Sequence, residues 1–160
     1  MVLRGTLRLV FAPPPAFARL AQPLRVANER PPAVVFGRGA EQAPPSVSFL
    51  TSALPPNVHL VTLAPSPMGS NTLLLRLAHV YEPVNAGTPA ADAQLSSEAV
   101  VHLDGAFASH DGAHVRVVSV TEVLHNGLTP KSGASPAVSG LTVLPGQLRT
   151  WLVQVATRAV

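Results

Sequence analysis

The chain predicts an all-β fold: an antiparallel β-sandwich of about 7–8 short strands with Pro/Gly-rich loops. Three observations carry this expectation. Residues 2–11, 57–63, 72–81, 99–103 and 114–124 are short runs rich in Val and Leu, without a helical period. Seventeen prolines and eleven glycines in 160 residues interrupt the chain too often for long helices. The apolar share, 47%, rests on Val, Leu and Ala, and at this length it suffices for the core of one domain.

Along the chain, residues 1–50 read as an N-terminal strand and Pro-rich segment, and residues 51–160 as the sandwich core. Residues 2–11 alternate, with Leu3, Leu7, Leu9 and Phe11 on one face and Arg4, Thr6 and Arg8 on the other, the period of a half-buried strand. Residues 13–32 carry prolines at both ends and at Pro23, which predicts a loop with at most two helical turns over 16–22. Residues 33–36 predict a short strand ended by Gly37, and residues 47–50 a brief edge strand. Residues 57–63 and 72–81 are the two central strands, separated by the turn-forming APSPMGSN. The second has apolar residues on both faces, interrupted by Arg76, so it is expected to be covered on both sides. Residues 82–97 form a polar loop. Strands resume at 99–103 and 114–124 around the loop DGAFASHDGA, and residues 126–139 form a second loop. Residues 141–144 and 147–155 are expected to pair as a hairpin about Pro145-Gly146, with Pro at the first turn corner and Gly at the second.

Charge excludes little but disfavours nucleic acid. Net charge is +3, and the ten arginines are scattered from Arg4 to Arg158 with no basic run and few aromatics to stack on bases. The isoelectric point of 10.6 reflects a lack of groups titrating between histidine and arginine, not a dense positive field. Protonation of all six histidines would raise the charge from +3 toward +9, which suits an acidic compartment without requiring one. Cysteine is absent, so the redox compartment is not readable. No apolar run reaches the roughly 18 residues of a membrane span. Arg4 and Arg8 interrupt any secretory signal, and no Asn-x-Ser/Thr acceptor occurs.

Two stretches resemble a known family. LPPNVHLVTL followed by LLLRLAHVYEP, and the later LTVLPGQLRTWLVQV, are similar in order and spacing to the closing β-domain of the class II α-mannosidases, glycoside hydrolase family 38. There a Leu-Pro-Pro-x-Val-His strand precedes a Leu-Leu-Arg-Leu-x-His strand, and the chain ends on a strand of the type Arg-Thr-Phe/Trp-Leu. The resemblance implies a parent that removes terminal α-mannose from glycans with retention, using zinc and an aspartate nucleophile. It implies that the catalytic domain lies upstream of Met1, with zinc in that domain and no cofactor here. The expected partner is then that catalytic domain, with glycan met only through the parent. Such parents work in lysosomal, vacuolar or secretory compartments. Two other readings stand beside it: an independent carbohydrate-binding module and a generic interaction domain.

Within this frame no residue is assigned a catalytic, cofactor-binding or metal-binding role. His102 and Asp104, with His110, Asp111 and His114, look like half of the family's zinc set. Asp104-Gly105 and Asp111-Gly112 read better as turn corners. The acidic residues Glu29, Glu41, Glu82, Asp92, Glu98, Asp104, Asp111 and Glu122 include no pair in a nucleophile-like motif. No G-x-S-x-G elbow accompanies the serines and histidines. His59 and His79 are expected at the core edge, each hydrogen-bonded to a neighbour. Arg76 and Arg149, on otherwise apolar strands, each need a carboxylate or carbonyl, from this chain or from a missing domain. Trp151 and Tyr81 are expected in the core, and would be exposed together only in a sugar-binding module.

Overall fold

The computed structural model describes residues 9–29, 48–83, 93–108, 114–133, 138 and 140–157. These form one helix, α1 (Pro14–Glu29), and seven strands: β1 (Val58–Pro65), β2 (Thr72–His79), β3 (Ala99–Val101), β4 (Phe107–Ala108), β5 (His114–Val123), β6 (Leu141–Val143) and β7 (Leu148–Thr157). The fold is all-β and antiparallel. Five strands make one sheet in the order β1-β2-β7-β5-β4, and β3 and β6 pair as a small second sheet.

The core lies between the sheets. From the large sheet come Leu75, Leu77, Val117, Val120, Trp151 and Val153; from the small one come Ala99, Val101, Leu141 and Val143. Strand alternation aligns them. Leu75 faces Trp151 across β2–β7, and Val120 faces Val153 across β5–β7, so every second residue points inward. Two register shifts curl the large sheet, between Leu60 and Thr62 in β1 and between Val117 and Ser119 in β5. An extra residue on one strand bends it and tightens its twist, which lets five strands wrap a two-stranded lid.

Three expectations are corrected. The first concerns residues 13–32: the loop with at most two helical turns is instead the 16-residue α1, which continues through Pro23. Pro14 and Pro15 occupy the first turn, where their missing N–H groups are not needed. The alanines, leucines and arginines around Pro23 favour helix strongly enough to carry the chain past one lost hydrogen bond. The second concerns the hairpin. Pro145-Gly146 does reverse the chain, with Gly146 at φ 71° and Gln147 N–H donating to Leu144 C=O at 3.0 Å. The flanking strands nevertheless do not pair with each other: β6 joins β3, while β7 enters the large sheet between β2 and β5. The turn therefore links two layers. The third is minor, because DGAFASHDGA contains the short strand β4.

Near the N-terminus, Leu9, Val10 and Phe11 are not in a strand. The rest of the predicted 2–11 strand, and the strand at 33–36, lie outside the described residues. The edge strand at 47–50 is reduced to a bridge between Leu50 and Phe107, flanked by Ala108 N–H to Phe49 C=O and Thr51 N–H to Ala106 C=O, each 3.0 Å.

Candidate functional site

Two polar clusters lie at the edges of the core, one buried and one half-buried, and each grows from strand alternation. The first centres on His79 at the end of β2, which falls on the inner face and is buried. Its Nε2 lies 2.8 Å from Ser97 C=O, and its Nδ1 lies 2.9 Å from Tyr81 C=O and 3.3 Å from Tyr81 N. Asn57, also buried, donates from Nδ2 to the same Ser97 carbonyl at 3.1 Å. Backbone bonds close the knot: His79 N–H to Gln147 C=O, Val80 N–H to Asn57 C=O, and Gly146 N–H to Tyr81 C=O. The His79 ring thus ties together the start of β1, the end of β2 and the approach to β3, and the backbone bonds add the β6–β7 turn. This matches the expectation of a core-edge histidine with a hydrogen-bonded neighbour.

The second cluster sits at the far end of β5. Arg149 follows the inward alternation of β7, two residues before Trp151, and its guanidinium lies 5.4 Å from the Trp151 ring centre. It grips Glu122 through two bonds, Nε to Oε1 at 3.1 Å and Nη2 to Oε2, while Nη1 donates to Thr142 C=O on β6. Lys131 Nζ adds a third contact to Glu122 at 3.0 Å. Burial by itself would raise the Glu122 carboxyl. The hydrogen bonds and charges of Arg149 and Lys131 outweigh burial and hold it below its ordinary value. Such a carboxylate is ionised and engaged at both oxygens, the opposite of a general acid. Its work here is to hold Arg149, whose Nη1 crosses to the small sheet at Thr142 C=O.

Arg149 therefore has both a carboxylate and a carbonyl partner within this chain. Arg76 has one too: its Nη2 donates to His125 C=O at 3.0 Å. His59 is half-buried on β1, in register with Ala78. Trp151 is fully buried and Tyr81 nearly so, and neither offers a ring face to a sugar. Among the described residues, Trp151 Nε1 and Thr150 Oγ1 are buried and meet no hydrogen-bond partner.

Of the zinc-like set, His102 and Asp104 are exposed beyond β3, His114 opens β5, and His110 and Asp111 lie outside the described residues. Among the described residues, no three His, Asp or Glu side chains gather as a metal site requires. Gly105 has φ 64°, as a turn corner does. Glu82 and Glu98 are exposed; Glu41 and Asp92 lie outside the described residues, and Glu29 ends α1. No described helix is long and apolar enough to cross a membrane.

Two hollows adjoin these features. One, of about 290 Å³, opens between the sheets and is lined mainly by Leu54, Leu75, Leu77, Val101 and Phe107, with Ser52 and His102 among its polar residues. The other, of about 430 Å³, lies beside the second cluster and includes Glu122, Lys131, Leu124, His125, Leu148 and Arg149. The sequence flagged Arg149 as needing a partner but did not single out Glu122 or Lys131. The register sets Glu122 opposite Trp151, and the reversal after Leu124 returns Lys131 beside it. No protein-family model matches the chain, and no curated protein matches it either.

Proposed function

We propose that this chain is a C-terminal β-sandwich domain of an α-mannosidase of glycoside hydrolase family 38, a scaffold that packs against a zinc-dependent catalytic domain. One observation supports the reading above others. The Leu-Pro-Pro-x-Val-His, Leu-Leu-Arg-Leu-x-His and Arg-Thr-Trp-Leu motifs fall at β1, β2 and β7, three consecutive neighbours in one sheet, while β6, within the last resembling stretch, lies in the small sheet. Residues similar to a family's strands in order are thereby also adjacent in space, as a shared sheet would require. The burial of Trp151 and Tyr81 favours this scaffold role over a carbohydrate-binding module, which needs exposed aromatic faces. Zinc, in this reading, belongs to the catalytic domain, and no residue of this chain is assigned to it.

The test is the transcript. An open frame that runs upstream of Met1 into a domain with a His-x-Asp motif is expected, and an in-frame stop immediately before Met1 would overturn the proposal. The purified chain, supplied with zinc and an aryl α-mannoside, is expected to show no turnover.

A further inference from the structure

Strand β2 accompanies β7 down to Leu148, whereas β5 leaves β7 two residues earlier, at the Val123–Thr150 pair. The alternation of β7 settles which groups this leaves open. Gln147 C=O accepts from His79 on β2, so residues 147 and 149 turn their backbone groups toward β2. Leu148 then turns its N–H and C=O to the opposite side, the lane that β5 has vacated. Among the described residues no backbone group meets it there. The cause of the departure is visible. Arg76 holds His125 C=O on the outer face, Gly127 adopts φ 75° against Leu74, and Leu124 N–H pairs with Thr129 C=O to close a tight reversal that carries the chain away from β7. The 430 Å³ cleft occupies the vacated lane.

Its walls have distinct chemistry. Leu124 and Leu148, 50% and 40% exposed, supply apolar surface. On the inner side, Lys131 and Arg149 face the single Glu122 carboxylate, leaving one positive charge in excess, and Lys131 is 53% exposed with N–H donors to spare. We infer that this notch seats a short extended segment of another polypeptide, adding a strand beside Leu148, with apolar side chains toward Leu124 and Leu148 and an acidic one toward Lys131. Main-chain pairing supplies affinity, and alternation of side chains supplies selectivity. The inference goes beyond the scaffold reading and does not depend on it.

The probe is a fluorescent, end-capped peptide of alternating Val and Glu, titrated against the intact chain by anisotropy, with amide resonances followed by NMR. Binding is expected, with the Leu148 amide among the signals that move. Lys131→Gln is expected to weaken binding about tenfold, while losing the half-exposed pair with Glu122 lowers the unfolding midpoint only slightly. A Val/Lys peptide of equal length, and a Val/Glu peptide with alternate backbone nitrogens methylated, are expected not to bind. Failure of the Val/Glu peptide, equal binding of its methylated form, or an unmoved Leu148 amide would overturn the inference. So would sedimentation showing that the chain dimerises through the notch, because the occupant would then be a second copy.

Discussion

At the scale of single residues, the polar groups in this core are fasteners. Glu122 has the clearest signature. Its native carboxyl sits below the ordinary value, so on acidification the unfolded chain takes up the proton first. Its contribution is complete at neutral pH and fades as pH falls through the ordinary carboxylate range toward the native value. Glu122→Gln is therefore expected to cost on the order of 1 kcal/mol at neutral pH and clearly less near pH 3. Urea unfolding at both pH values checks this, and an equal loss at each would contradict it. His79→Ala would strip the partner from Asn57 and from the Tyr81 backbone while leaving a hole. A loss of about 2–4 kcal/mol is expected in the same measurement.

At the scale of elements, the link from β6 to β7 carries most consequence. Its geometry demands glycine: Gly146 has φ 71°, and a Cβ there would lie 3.1 Å from Glu82 Oε2. That carboxylate is exposed and can move, so the backbone conformation sets the cost. Gly146→Ala is expected to destabilise by about 1–2 kcal/mol, seen as a lower thermal midpoint. The turn was legible from Pro-Gly, but its use was not. A tight reversal predicts neighbouring strands, and only competition for partners decides otherwise. β7 finds long apolar partners in β2 and β5, and the three-residue β6 pairs instead with three-residue β3. Likewise Pro23 reads locally as a breaker, yet it sits within α1 because its neighbours are good helix formers.

For the whole molecule, the two sheets share one core and should unfold together. Leu141 and Val143 belong to the small sheet, Trp151 to the large one, and all three are fully buried in the same cluster. Leu141→Ala is expected to lower stability by about 2–4 kcal/mol, with tryptophan fluorescence and far-ultraviolet circular dichroism shifting to one common midpoint. Separate midpoints would mean that β3–β6 melts on its own. The Arg149 contacts to Glu122 and Thr142, together with the His79 knot, fasten the layers at two further points.

What the sequence determined alone was the all-β class, the strands β1, β2, β3, β5, β6 and β7 to within a few residues, and the need of Arg76, Arg149 and His79 for partners. These follow from period-two alternation and from the cost of burying unpaired polar groups, both local properties of the chain. The tertiary structure alone decided which strands pair, that β6 and β7 part, that Glu122 meets Arg149, and that β5 abandons Leu148. Each depends on register between segments distant in sequence, where one residue of slip exchanges the faces of a strand and no local pattern records the choice.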